Sequence, residues 1–141
     1  MQRVSVTHEI NAPPPAVWAV LTDPVALVES GTGITRLEGE IAADARFKLT
    51  AAVSPNRAFA IHVTAFEPPK RMVWKSGMPL GLFGGERVFD LAPSKGGTRL
   101  IMSETFRGLL LPLIWRSMPD LHPSFETFVH AVAARAESET P

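Results

Sequence analysis

One carboxylate lies in phase with the apolar residues of a predicted strand, which makes it the side chain best placed to do chemistry. Glu104 alternates with Met102 and Phe106, so all three are expected on one face of the strand. A carboxylate on a buried face needs a hydrogen-bond partner or a proton. Glu104 is therefore a candidate to hydrogen-bond a hydroxyl or carbonyl group of a ligand, or to act as a general acid. The alternative is a phase shift that leaves it in solvent, paired with Arg87 or Arg107.

The four histidines lack the spacing of a metal site or a catalytic dyad. His8 shares a strand face with apolar residues, and His62 lies on the face opposite its apolar neighbours. His122 and His130 are near and on the last predicted helix, without an H-x-x-x-H or H-x-E-x-x-H pattern. The sequence predicts no metal and no cofactor. His8 remains a weaker candidate for a polar group facing a pocket.

Nucleophilic catalysis has little support in the sequence. There is no cysteine, no tyrosine and no G-x-S-x-G pattern. The glycines of residues 77–85 are not a phosphate loop, because no G-K-[ST] follows. That segment is unusually apolar for a loop, so it predicts either a lid over a pocket mouth or an exposed interaction patch. Residues 109–115 are expected to form the other lip of that mouth.

Composition limits the remaining classes. The chain has 141 residues, 45% of them hydrophobic, and is expected to form a single domain over residues 1–141. Its 14 basic and 14 acidic residues cancel, which excludes a general field for nucleic acid or an anionic membrane but not a local charged patch. No signal peptide or membrane-spanning run is recognised, and the expected location is the cytoplasm.

The hydrophobic periodicity predicts one strand, two short helices, about six strands and a long amphipathic helix. The strands are predicted at 3–10, 34–41, 46–53, 58–66, 72–76, 87–93 and 100–106, with a turn at Pro55-Asn56. Short helices are predicted around 17–21 and 25–29, and the terminal helix over 120–137 with Asp120 as its N-cap. The closely spaced strands favour an antiparallel sheet in an α+β fold, whose apolar face the last helix must cover.

A curved sheet around one helix is expected to leave a cavity between them. The predicted ligand contacts are the in-phase apolar residues of the strands and the last helix, with Glu104 and Trp115. They are Phe47, Leu49, Phe59, Ile61, Val63, Trp74, Phe89, Met102, Glu104, Phe106, Trp115, Phe125, Phe128 and Val129. The competing interpretation is that the apolar ones fill the core.

Three segments resemble the START-like (SRPBCC) polyketide cyclase/dehydrase and lipid-transport superfamily. Residues 10–23 resemble its opening, residues 63–74 its central hairpin, and residues 97–109 its last strand and the entry to its final helix. The resemblance implies a helix-grip fold, in which a seven-stranded antiparallel sheet wraps a long C-terminal helix around a pocket. The chain departs from the family where Asp44-Ala45-Arg46 stands in place of a glycine that often opens the third strand, and where prolines interrupt residues 112–123.

Three functions stay open at this stage. The first is binding of a small hydrophobic or amphipathic molecule, lipid- or polyketide-like, between the sheet and the C-terminal helix. The second is a cyclase, aromatase or dehydratase that uses Glu104, helped by Arg87 or His8. The third is a protein-interaction module like the chaperone-ATPase activator homologues of this fold. The sequence does not decide whether a reaction is catalysed, which ligand is bound or which oligomeric state is formed.

Overall fold

The computed structural model describes residues 1–139 and shows one antiparallel sheet with helices on one face. The strands are β1 Gln2–Ile10, β2 Ile34–Glu38, β3 Arg46–Ala51, β4 Ser54–Glu67, β5 Arg71–Gly77, β6 Gly84–Ser94 and β7 Gly97–Arg107. The helices are α1 Pro14–Leu21, α2 Pro24–Glu29, α3 Leu111–Ser117 and α4 His122–Ser138, with a short 3₁₀ turn at Pro79–Gly81. The seven strands are ordered β1-β7-β6-β5-β4-β3-β2. The predicted helix-grip fold is confirmed.

The two short helices begin where the sequence supplies the appropriate start signals. The first two residues of α1 are Pro14 and Pro15, whose fixed φ suits a first turn and whose missing N–H groups have no intrahelical partner there. Asp23 caps α2, and its Oδ1 accepts hydrogen bonds from the N–H groups of Val25 at 3.0 Å and Ala26 at 3.3 Å. Both helices therefore follow directly from β1 as predicted.

The predicted turn at Pro55-Asn56 is wrong. The chain turns at residues 52–53, and Pro55 and Asn56 belong to β4. The β3–β4 pairing jumps from Leu49 opposite Phe59 to Ala51 opposite Ser54. The extra β4 residues form an irregular bulge, where a proline without an N–H removes no ladder hydrogen bond. Proline here marks a bulge rather than a turn.

Asp44 occupies a backbone conformation that glycine adopts more easily. Its φ is +59°, in the left-handed region, just before β3 begins. Aspartate is among the residues that tolerate this conformation best. Its carboxylate Oδ1 lies 2.7 Å from His62 Nε2 on the neighbouring strand. Asp44 thus adopts the backbone conformation that a glycine would allow here, and it adds a contact between the start of β3 and β4.

The terminal helix begins two residues later than predicted. α4 starts at His122, and its N-cap residue is Leu121 rather than Asp120. The Asp120 carboxylate still accepts a hydrogen bond from the His122 N–H at 3.1 Å, so it satisfies a free donor of the first turn from outside the helix. The apolar segment before it contains the separate helix α3, with Pro112 in its first turn.

The core lies between α4, α1 and the face of the sheet turned toward them, called here the inner face. α4 contributes one buried stripe, which comprises Phe125, Phe128, Val129, Val132, Ala133 and Ala136. It packs against β1 and α1. Within the described residues, no helix combines the length and hydropathy that a membrane span requires.

Thr98 ties the start of β7 to the chain between β1 and α1. Its side chain is 0% exposed, and its hydroxyl donates a hydrogen bond of 2.7 Å to the carbonyl oxygen of Ala12. Thr98→Val removes the donor and leaves that carbonyl unpaired, so we expect a loss of about 1–3 kcal/mol in the free energy of unfolding. Urea denaturation measures this loss. Thr98→Ser keeps the hydroxyl and should lose less; equal losses in the two variants would contradict the assigned role of the hydrogen bond.

Candidate functional site

Three side chains with hydrogen-bonding groups lie side by side on the inner face of the sheet. Trp74 in β5 is opposite Arg87 in β6, and Arg87 is opposite Glu104 in β7. The next cross-strand pair along β6 and β7 is Phe89 and Met102, both fully buried. Strand alternation therefore places this group, called the polar row, within an apolar surface.

Arg87 and Glu104 form an ion pair under α4. Arg87 Nε donates a hydrogen bond of 2.7 Å to Glu104 Oε1, and the two side chains are only 21% and 13% exposed. The guanidinium carbon lies 4.8 Å from the ring centre of Phe125 and 5.7 Å from that of Phe128. The aromatic faces contribute a further attraction for the cation. The predicted inward position of Glu104 and its pairing with Arg87, which the sequence treated as alternatives, occur together.

The remaining oxygen of Glu104 lies over Gly85. A Cβ atom added to Gly85 would come within 2.6 Å of Glu104 Oε2. Glycine at position 85 therefore leaves the space that the carboxylate occupies. Next to it across the β5–β6 ladder is Ser76, another small residue. The polar row thus borders a region of small side chains toward the end of β5.

Trp74 is the third member of the polar row and has an unsatisfied donor. The indole is 2% exposed, and its Nε1 is buried without a hydrogen-bond partner among residues 1–139. Its ring contacts Phe47 and Phe89 at centroid distances of 5.1 and 4.8 Å. Leaving a buried N–H unpaired costs on the order of 1–3 kcal/mol. An orphan donor of this kind is one of the features expected where a ligand atom binds.

The other predicted ligand contacts contact one another as well. Phe89 lies 5.9 Å from Phe128, and Phe106 lies 5.4 Å from Trp115, measured between ring centres. Leu49, Phe59 and Trp115 are partly buried, whereas the other apolar members of the predicted set are buried. These residues are part of the core, and their role as ligand contacts stays a prediction.

His8 faces α4, as its strand phase predicted. Its ring lies 4.5 Å from that of His130, centre to centre. Glu126 approaches His130 at 3.3 Å and His122 at 3.8 Å, and these contacts are exposed to solvent. His8 is thus half-buried at the edge of the core, separated from the Arg87–Glu104 pair by its position along β1.

An open groove on the opposite, outer face was not predicted. It has a volume of about 1070 Å³ and crosses the sheet from β2 to β7. A row of paired residues on the outer face forms its floor: Arg46, His62, Lys75, Glu86 and Thr105. Only Phe47 and Ile61 of the predicted ligand contacts line it. The alternation of polar residues in these strands indicates that this face of the sheet meets solvent. It does not indicate that the face is concave.

The two apolar segments at the end of the sheet, predicted as the lips of a pocket mouth, are joined by backbone hydrogen bonds. The N–H of Leu110 donates to the carbonyl of Leu82 at 2.8 Å, and that of Leu109 to the carbonyl of Gly81 at 3.3 Å. Of their apolar side chains, Leu82 and Phe83 are partly buried, whereas Leu80 and Leu109 point into solvent. The exposed-patch alternative describes Leu80 and Leu109 better than the lid alternative.

The family model described as polyketide cyclase / dehydrase and lipid transport matches residues 1–137. The chain belongs to this family. The resemblance drawn from its motifs is therefore confirmed over nearly the whole sequence. Among curated proteins, none matches it.

Solved structures show the same fold at low sequence identity. Protein MLL2253 from Mesorhizobium loti is 19% identical, with a TM-score of 0.77 over 99% of this chain and 100% of that one. DynU16, described as a putative protein in the dynemicin biosynthetic locus, is 21% identical with a TM-score of 0.73. StfQ, a di-domain ARO/CYC from the steffimycin biosynthetic pathway, is 15% identical with a TM-score of 0.74. The match covers 100% and 96% of this chain but only 49% and 51% of DynU16 and StfQ.

The Arg87–Glu104 pair generates a prediction about stability. Because both groups are mostly buried, Glu104→Ala leaves a guanidinium without its partner, and we expect a loss of about 1–3 kcal/mol in the free energy of unfolding. The double variant Arg87→Met/Glu104→Met removes both charges and should recover much of that loss. A double-mutant cycle from chemical denaturation measures the coupling. Additive effects of the two single substitutions would show that the two side chains do not interact.

Proposed function

We propose that this member of the family binds a small amphipathic molecule between the inner face of the sheet and α4, with a polar group of the ligand at the Trp74–Arg87–Glu104 row. The unpartnered indole N–H of Trp74 is the observation that carries the proposal. A carbonyl or hydroxyl oxygen of the ligand would accept this hydrogen bond. The apolar part of the ligand would lie against the surrounding aromatic rings.

The chemistry of the polar row selects for an uncharged ligand oxygen beside an apolar body. Arg87 is already paired with Glu104, so the row has little net charge to offer a free carboxylate or ammonium group. Trp74 supplies one donor, and Glu104 Oε2 accepts no hydrogen bond from the described residues. One donor and one acceptor suit a hydroxyl or a ketone, which are common on lipid- and polyketide-like molecules.

The family description supports this proposal because it includes lipid transport as well as cyclisation and dehydration. The architecture supports it too, since a curved sheet over one helix brings aromatic residues from strands and helix together around the polar row. A cytoplasmic location and the absence of nucleic-acid binding stay predictions without a test in the structure, and the oligomeric state stays undecided.

Ligand binding predicts a change in the fluorescence of an added apolar probe. Titration with a fluorescent fatty-acid or anthracene-type ketone probe should saturate in the native protein. Trp74→Phe keeps the aromatic ring but removes the donor, and we expect it to weaken probe binding roughly tenfold, the value of one hydrogen bond to a neutral group in a buried site. Native mass spectrometry of the same samples counts the molecules bound.

Trp18→Phe is the matched control, because Trp18 packs on Phe66, whose cross-strand partner is Met72 rather than a residue of the polar row. Its affinity for the probe should equal that of the native protein. The proposal fails if no apolar probe binds, or if the two tryptophan variants bind equally well.

A second function is supported by the geometry of Glu104. Its Oε1 accepts the hydrogen bond from Arg87, while Oε2 is available toward Gly85. We infer that this carboxylate can take a proton from a carbon between two carbonyl groups of a polyketide-like chain. The enolate carbon then attacks a third, more distant carbonyl of the same molecule, and the resulting alkoxide recovers the proton, so that the net reaction is an isomerisation to a ring. This role is a general base rather than the general acid that the sequence predicted.

Turnover separates the cyclase from the simple carrier. Glu104→Gln keeps the size of the side chain and removes the base, so we expect at least a hundredfold loss of kcat with a reporter poly-β-ketone. Probe binding should persist in this variant. Cyclisation at the native rate by Glu104→Gln would eliminate this mechanism while leaving the binding proposal intact.

A further inference from the structure

Four apolar side chains project into solvent at one end of the sheet. They are Met78, Leu80, Leu109 and Leu113, with exposures of 42%, 91%, 80% and 67%. The backbone hydrogen bonds between residues 81–82 and 109–110 hold the two segments together. We call this group the apolar tip. Several large apolar residues exposed together are unusual for a surface that only faces water.

Leu80 is exposed in a conformation that disfavours leucine. Its φ is +62°, in the left-handed region, where asparagine or glycine is accommodated with less strain. A nearly fully exposed leucine at such a position does not contribute to the core. The stability of the fold therefore does not explain an apolar side chain at this position. Contact with an apolar surface outside the protein would explain it.

Two arginines flank the apolar tip. Residues 77–85 and 105–119 contain no aspartate or glutamate, and Arg107 and Arg116 lie on either side of Leu109 and Leu113 in the chain. Neither arginine forms an ion pair with a described residue. Because the whole chain has a formal charge of zero, this excess is local.

The basic region continues into the outer groove. Met78, Gly81, Phe83 and Gly108 line one end of the groove, so the groove and the tip share a boundary. The groove also contains Arg46, Lys48, Lys75 and Arg107 against the acidic residues Glu38 and Glu86. The lining of the groove thus has four cationic side chains and two carboxylates, and its net charge next to the tip is positive.

We propose that this end of the protein docks on a bilayer that contains anionic lipids, with the apolar tip in the headgroup region and the neighbouring cations facing lipid phosphates. Leucine and methionine side chains transfer favourably into that interface, and basic side chains add attraction to an anionic surface. This proposal is independent of whether the inner face binds a ligand.

The charge distribution favours a lipid surface over a second copy of the chain. A two-fold interface built on the apolar tip would bring the same patch of both copies together, so the charges of Arg107 and Arg116 would be concentrated in one interface. Like charges placed opposite one another oppose association. An anionic bilayer complements the same residues.

Vesicle co-sedimentation tests the proposal. Purified full-length protein is incubated with vesicles of phosphatidylcholine alone, or with 30% phosphatidylserine. We expect binding to the anionic vesicles that weakens as salt is raised, because screening shortens the reach of the cations. Little binding to phosphatidylcholine alone is expected.

Substitutions then separate the two contributions. Leu80→Asn, Leu109→Gln and Leu113→Gln combined should weaken binding at least about a hundredfold, since each inserted leucine contributes roughly tenfold. Lys75→Gln and Arg107→Gln should each weaken it roughly fivefold and reduce the salt dependence. Thermal unfolding of each variant shows that the fold is retained, and Leu80→Asn should not lower the unfolding temperature.

Matched controls use exposed residues elsewhere. Val25→Ser removes an exposed apolar side chain of α2, and Lys70→Gln removes an exposed cation in the β4–β5 turn, at the far end of β5. Vesicle binding should be unchanged in both. The proposal is overturned if the native protein does not sediment with anionic vesicles, if the controls weaken binding as much as the tip variants, or if the tip variants instead convert a dimer into a monomer.

Discussion

The inner face of the sheet can leave water only against the helices, chiefly α4 with α1 and α2, because no second sheet is present in the described residues. The buried stripe of α4 supplies Phe125, Phe128 and Val129 for this contact. Burial of a large apolar side chain stabilises the fold by about 1.5–3 kcal/mol, so this one helix accounts for a large share of the core. That contact brings Phe125 and Phe128 over Arg87 in the candidate site.

The charged and hydrogen-bonding groups of a polar row inside such an interface have to find partners within the protein or in a ligand. Arg87 does so by pairing with Glu104 and by lying over two aromatic rings of α4. Trp74 does not, since its Nε1 is left without a partner in the described structure. Replacing a buried ion pair by apolar residues is often neutral or stabilising, so the presence of this pair is not explained by stability alone. A polar row that is costly, central and incompletely paired is consistent with recognition of a polar atom on a ligand.

Much of this arrangement followed from hydrophobic periodicity. The phase of Met102, Glu104 and Phe106 correctly predicted an inward carboxylate, and the helix stripe from Phe125 correctly predicted the face of α4. The partner of Glu104 was left between Arg87 and Arg107, because the cross-strand register depends on the β6–β7 turn. Pro55 misled the prediction, since a proline marks both turns and bulges. The outer groove depends on the twist of the whole sheet, which no local pattern encodes.

The register of the strands keeps the two faces of the sheet chemically distinct. Arg87 and Glu86 are neighbours in β6, and they face the polar row and the outer groove respectively. A slip of one residue would exchange them, placing Glu86 under α4 and Arg87 in the groove. The pairings of β5 with β6, β6 with β7 and β7 with β1 run without interruption, whereas the register shifts occur among β2, β3, β4 and β5. The irregularities that bend the sheet are therefore kept away from the ladders in which a shift would dismantle the polar row.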